Sequence, residues 1–284
     1  MNTYFNDDYT ACGHESDTTR KSRHIVDSLV ERPIPGVVIS DPSFVYDTTT
    51  DAIRAVHSDA YVSAVETGEP LHLAESQGFA WDDDLWKMAL AHNAGVVAAA
   101  LSALETGCTA GTLSSGLHHA HHDTGKGYCT FNGLAVAAHV ATQRGARVLV
   151  FDVDAHCGGG TSTLLPVGAH QVDVSVSGYD SYAPGEGCWL RVTDAHGHDD
   201  AIVEALAHID TLGSFDLVLY NAGMDPANCG VTFEQLERRE QLVAAHDFGC
   251  PIAFTIAGGY TWDRSIDKVV DLHRLTLEAF AAAA

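Results

Sequence analysis

Short runs of apolar residues, each closed by glycine, proline or a polar cluster, recur along the 284 residues of this chain. They fall at 35–40 (PGVVIS), 147–154 (RVLVFDVD), 171–177 (QVDVSVS), 215–223 (FDLVLYNAG) and 251–259 (PIAFTIAGG). Several are continuously apolar instead of alternating, as strands buried on both faces of a parallel sheet are. Helical patterns lie between them. The segment 85–107 is long, alanine-rich and closed by Gly107, and 133–144, 200–212, 232–247 and 265–283 also read as helices. Strand and helix patterns in alternation predict an α/β fold, a mainly parallel central sheet flanked by helices. No internal repeat, low-complexity tract or linker interrupts the series, so a single domain over 1–284 is expected.

In such sheets reactive groups collect beyond the carboxyl ends of the strands. Three strand ends here are unusually polar: Asp152-x-Asp154-x-His156, Gly223-Met224-Asp225 and Gly258-Gly259-Tyr260. A buried carboxylate is costly unless it is paired or holds a cation, so Asp152 and Asp154 within an apolar strand call for a positive partner. The i, i+2 spacing of Asp154 and His156 points both side chains the same way. With Asp225 they would offer two carboxylates and an imidazole, a set that suits zinc or ferrous iron and leaves positions open for water and substrate. Capping of helices or turns is the competing reading, and for Asp225, followed by Pro226, it has equal weight.

The segment 115–133 reads SGLHHAHHDTGKGYCTFNG, with His118, His119, His121 and His122 inside five positions. A surface metal-binding tract, a solvated loop and a catalytic segment are all compatible with that composition. Gly116, Gly125, Gly127 and Gly133 point to tight backbone beside a pocket. Adjacent histidines there could take a proton from metal-activated water and return one to a leaving amine. His121 and His122 are read as solvated loop. Tyr260, after two glycines, could project its hydroxyl into the crevice and polarise a carbonyl, although a turn with an aromatic plug explains the same triplet.

Charge narrows the partners. The net charge is −23 and no Lys/Arg cluster reverses it locally, so phosphate backbones and anionic membrane surfaces would be repelled. No nucleic-acid or membrane partner is therefore expected, while a cationic substrate is favoured. The seven cysteines are odd in number and scattered without a Cys-x-x-Cys pair, which speaks against a disulfide framework and against a Cys-rich zinc site. There is no run of eighteen apolar residues, and the opening MNTYFNDDYTACG has neither the basic nor the apolar region of a signal peptide. A cytoplasmic location is the resulting expectation.

Taken together, the motifs resemble the histone deacetylase superfamily, and within it the bacterial class II-like amidohydrolases and acetylpolyamine amidohydrolases. The matching segments are GLHHA at 116–120, GYCTFN at 127–132, DVDAH at 152–156, AGMD at 222–225 and GGY at 258–260. Fainter matches lie at 14–29, 56–62 and 182–187, and the order is collinear over nearly the whole chain. The resemblance implies an arginase/deacetylase-like fold. It implies that Asp154, His156 and Asp225 bind Zn²⁺, with Fe²⁺ as the alternative, and that Tyr260 polarises the scissile amide. His118 and His119 match the tandem histidines, the second moving the proton and the first giving electrostatic help. Asp152 matches the carboxylate that orients the first histidine; with Ser175 and main-chain oxygens of Asp154 and His156 it also matches a site for K⁺. Gly127, Tyr128 and Ala183 fall on the substrate tunnel.

The departures from that pattern carry expectations too. Cys157 stands where the family has a histidine, and Gly159 where it has the polar residue that hydrogen-bonds the second catalytic histidine. His119 is then expected to lack its orienter, and Gly159→Asn to raise activity. Ala183 in place of a tunnel phenylalanine would widen one wall, and a short segment before His118 would leave the pocket more open. The activity implied is removal of an acyl group, acetyl first, from a primary amine such as an acetylpolyamine or acyl-lysine. A metal-binding pseudoenzyme or acyl-amine sensor is the competing class, and an arginase-like hydrolase with two close metals is a third. The motifs leave the acyl and amine preference and the oligomeric state undetermined.

Overall fold

The computed structural model describes residues 1–12, 14 and 17–283; positions 15 and 16 of the faint match at 14–29 lie outside the described residues. Eight strands are present among them: β1 Asn2–Tyr4, β2 Val38–Ser40, β3 Ala110–Thr112, β4 Val148–Asp152, β5 His170–Ser175, β6 Cys188–Val192, β7 Leu217–Gly223 and β8 Ile252–Ala257. They form one sheet in the order β2-β1-β3-β8-β7-β4-β5-β6. Every neighbouring pair is parallel. This is the α/β architecture with a parallel central sheet that the alternating pattern predicts.

The central strands are continuously apolar because both their faces are covered: all residues of β4, β7 and β8 are buried. The helix Leu85–Thr106 explains its own composition in the same way. It packs on β3, on β8 and on the helix Gly133–Gln143. It ends at Gly107, whose left-handed backbone (φ +68°) closes the last turn. By length and composition it could cross a membrane, but 83% of its most apolar window is buried inside the protein, as in a core helix.

Three strands escape the sequence pattern. β1 and β3 have three residues each, too few for a period to show, and β6 is a half-exposed strand at the sheet edge. The predicted strand at 35–40 contracts to Val38–Ser40 at the opposite edge.

Register sets up the chemistry. Asp152, the last residue of β4, lies opposite Asn221 of β7, and Asn221 lies opposite Thr255 of β8. The Thr255 hydroxyl donates to Asn221 Oδ1 (2.9 Å), and Asn221 Nδ2 donates to Asp152 Oδ1 (2.8 Å). A polar relay thus crosses three buried strands just below their carboxyl ends. Behind them the fully buried Arg239 donates to Val153 O (3.0 Å) and pairs with Glu240, which accepts from the Tyr220 hydroxyl (2.7 Å). Such a buried pair is tolerated because its hydrogen bonds are largely made.

Candidate active site

Beyond β4 the chain carries Asp154 and His156, and beyond β7 it carries Asp225. His156 Nδ1 lies 3.2 Å from Asp154 Oδ1 and 2.9 Å from Asp225 Oδ2. The three candidate ligand atoms lie within 4.8 Å of one another. Two glycines permit this convergence. A Cβ on Gly223 would stand 2.4 Å from Asp154 Cα, and one on Gly258 (φ +55°) would stand 2.5 Å from Asp225 Cγ.

The electrostatics of the triad call for a cation. Asp154 and Asp225 are both buried, with His156 Nδ1 set between their carboxylates. Burial alone would depress His156, but hydrogen bonds and charge from Asp154 and Asp225 overcome it and raise its pKa to about 11. Burial, reinforced by the charge of Asp154, raises Asp225. An imidazole nitrogen between two buried carboxylates holds a proton where a divalent ion would otherwise sit, and the N/O donor set fits such an ion.

Next to the triad stand the tandem histidines, their ring centres 4.0 Å apart. His118 Nδ1 meets Asp152 Oδ2 at 2.7 Å, and its Nε2 lies 3.5 Å from Asp154 Oδ1. His119 Nδ1 meets Asp180 Oδ2 at 2.9 Å. The loop that carries them is held by Asn132, whose Nδ2 donates to the carbonyls of His118 and Ala120, both at 3.1 Å. Leu117 (φ +59°) and Tyr128 (φ +63°) adopt left-handed backbone on either side, a conformation uncommon outside glycine that clusters at functional sites.

The two histidines are driven apart in basicity. Burial would lower His118, yet the charges of Asp152 and Asp154 raise it to about 10. Burial and then the His118 charge push His119 down to about 4. A charged imidazole beside a neutral one is the separation that assigns acid and base roles.

Asp180 overturns the expectation that His119 lacks an orienter. It comes from the loop between β5 and β6, and its main-chain oxygen fills the space beside Gly159, where a Cβ would stand only 2.4 Å away. Sequence reading missed it because it lies 61 residues from His119 and follows no recognisable motif. Lys126 and His121 reach the same carboxylate, so His121 belongs to the site and not to a solvated loop. His122 is exposed, with its Nδ1 on Val56 O at 2.8 Å. Cys157 is buried with its Sγ donating to Ser177 O (3.4 Å), and burial pushes the thiol up to about 11.

His118, His119, Gly127, Tyr128, Asp154, His156 and Tyr260 line one narrow cavity of about 30 Å³. That is room for water or a small reacting group instead of a whole substrate. Tyr260 is fixed by Asn228, which accepts from its amide and donates to its carbonyl, both at 3.1 Å, and its ring stacks on Trp262. Ala183 is exposed and takes no part in the lining. Tyr179, from the same β5–β6 loop, stands with its ring edge-on to His119 (5.1 Å) and His156 (5.5 Å). Opposite, Tyr128 packs on Phe79 at 5.2 Å. The Ser175 hydroxyl lies 2.6 Å from the main-chain oxygens of both Ala155 and Ser177 and can donate to only one at a time.

A parallel sheet with a two-carboxylate, one-imidazole cluster and paired histidines at its strand ends defines a deacetylase-like α/β protein. The chain belongs to the histone deacetylase family: the Histone deacetylase domain matches residues 15–198. An uncharacterized protein of Picosynechococcus sp. is 31% identical over 245 residues, covering 78% of this chain and 79% of its own. Acetoin utilization protein AcuC of Staphylococcus aureus is 27% identical over 169 residues, which span 54% of this chain and 43% of that protein. Among solved structures, acetylpolyamine aminohydrolase from Burkholderia pseudomallei aligns over 100% of this chain and 99% of its own, with a TM-score of 0.78 at 20% identity. The HDA15 HD domain aligns over 99% and 90%, with a TM-score of 0.74 at 19% identity. Both structural likenesses concern the fold.

Proposed function

We propose that the protein is a metal-dependent amide hydrolase that removes an acyl group, acetyl first, from a primary amine. The observation that carries this reading is the placement of His156 Nδ1 between Asp154 and Asp225, against paired histidines of opposite charge preference. When bound by Asp154, His156 and Asp225, zinc or ferrous iron would polarise the amide carbonyl and acidify water. The chain's own groups do the rest. Neutral His119, with its Nδ1 hydrogen on Asp180, keeps Nε2 free to take the proton of the attacking water and pass one to the departing amine. Charged His118 stabilises negative charge in the cavity. The Tyr260 hydroxyl, kept protonated by burial and by the charges of Asp225 and Asp154, donates to the oxyanion.

Family membership supports hydrolysis, and the Burkholderia acetylpolyamine aminohydrolase supports a small acylated amine. The net charge of −23 favours a substrate whose remainder is cationic, such as a polyamine or lysine. A K⁺ ion near Asp152 and Ser175, and a cytoplasmic location, belong to the same proposal; the carbonyls around Ser175 supply oxygen ligands of the right kind. The pseudoenzyme reading loses its main premise, because His119 has an orienter in Asp180.

The test is amine release from acetylpolyamines, acetyl-lysine peptides and longer acyl-lysines, by protein with quantified metal. Turnover abolished by a chelator and restored by zinc or ferrous iron is expected. Silence across the panel with one metal bound per chain would replace the hydrolase by the sensor.

A further inference from the structure

We infer that Asp180 is the positioning residue for His119, a role moved onto the β5–β6 loop and held there by Lys126 and His121. The inference rests on the hydrolase reading only for its kinetic half.

Three independent features fit together. The first is the carboxylate itself. Its side chain is 5% exposed; Oδ2 accepts from His119 Nδ1 at 2.9 Å, Oδ1 pairs with Lys126, and His121 Nε2 stands 3.6 Å from the same oxygen. Burial would raise Asp180, but its hydrogen bonds to His119 and Lys126 hold it well below the usual carboxylate range. The group is therefore an anion where it meets the imidazole.

The second is the backbone. Asp180 has φ +58°, the left-handed region that aspartate tolerates better than most residues. That turn delivers the carboxylate to the histidine loop. The third is the vacated position. Any side chain at Gly159 would meet the Asp180 main-chain oxygen at 2.4 Å and its Cγ at 2.9 Å, so an orienter at 159 and one at 180 exclude each other.

Lys126 adds a consequence. Its ammonium, while paired with Asp180, also lies 5.3 Å from the centre of the Tyr179 ring. Tyr179 in turn stands against His119 and His156. One ion pair thus ties the loop of the tandem histidines to the loop that carries Tyr179 and Asp180. The imidazole of His119 is pinned through Nδ1, which fixes its tautomer and leaves Nε2 as the reacting nitrogen.

A loop anchor with no catalytic consequence would look similar in coordinates, so the test uses readouts that separate the two. In the metal-free wild-type protein, proton NMR of ¹⁵N-histidine-labelled material should show downfield imidazole signals from His118 on Asp152 and His119 on Asp180, beside that of His156 between Asp154 and Asp225. Asp180→Ala should lose the His119 signal and keep that of His118, which also reports an intact fold. In the metal-loaded enzyme the same variant should lower kcat by roughly 10–100-fold, the usual effect of removing a residue that orients a reacting histidine, with KM nearly unchanged. Asp180→Asn keeps an acceptor oxygen and should retain the signal and most of kcat.

Retention of the His118 and His119 signals in Asp180→Ala, or an unchanged kcat, would overturn the inference. So would loss of both signals together in the two variants, which marks a scaffold role. If the wild type turns over no acylated amine, the hydrolase reading fails while the resonances alone still decide what Asp180 does.

Discussion

A Cβ on Gly159 would stand 2.4 Å from the main-chain oxygen of Asp180, far inside any ordinary contact. Gly159→Asn is therefore expected to lower activity, the reverse of what motif matching predicts. Overpacking of this kind costs about 1–3 kcal/mol, and here it would be relieved by displacing the loop that supports His119. Thermal midpoint and kcat should fall together; a gain in kcat would mean that Asp180 moves aside without harm.

Tyr260 lines the cavity with Asp154, His156 and the two tandem histidines, its backbone clamped by Asn228. Tyr260→Phe removes one donor to a developing oxyanion and should reduce kcat by roughly 10²–10³-fold, with the metal content unchanged. Steady-state kinetics beside metal analysis checks both halves. A variant with wild-type turnover would take the hydroxyl out of the mechanism.

Gly258 combines positive φ (+55°) with a Cβ position 2.5 Å from Asp225 Cγ. Gly258→Ala should push Asp225 away from His156 and weaken metal binding. Dialysed wild-type protein should retain one equivalent, raise its thermal midpoint on loading and lose that shift to a chelator. At a metal concentration of 1,000 Kd the stabilisation is about 4 kcal/mol. The variant should show a smaller shift in the same titration, and an equal shift would remove Asp225 from the ligand set.

His92 is buried, with Nδ1 on Ser114 Oγ (2.9 Å) and Nε2 on Tyr9 O (3.0 Å), and burial lowers its pKa from 6.5 to about 4. His57, bound to His121 O through Nδ1 and accepting from Asn132 N through Nε2, is lowered likewise to about 4. The unfolded chain binds more protons than the folded one between these two values. Stability is thus full above pH 6.5 and falls as the pH drops towards 4, by ~1.4 kcal/mol per pH unit for each such histidine. Chemical denaturation at about pH 7.5 and about pH 5 should show the loss, and His92→Gln should show less of it. An equal loss in that variant would assign the acid sensitivity elsewhere.

Much of this molecule is legible along the chain. The buried strands β4, β7 and β8 announce themselves because burial on both faces demands largely continuous apolar residues, while β5 shows as an alternation of valines with polar residues. Asp152, Asp154 and Asp225 stand out because carboxylates at the ends of such strands need a compensating partner. Asn221 carried the same signal, a polar residue within an apolar strand, and reads in hindsight as the Asp152 partner. Short edge strands stayed hidden, since three residues have no period.

Local patterns therefore determined the sheet class and marked Asp152, Asp154, His156, Asp225 and the paired histidines as candidates, because each lies within a few residues of a strand end or inside a single motif. Tertiary structure alone decided what supports His119 and which ring packs against it. Asp180 reaches His119 across 61 residues of sequence, with Tyr179 beside it, through one left-handed turn and the space left by a glycine. A contact of that kind is fixed by how two loops pack, and no spacing within either loop records it.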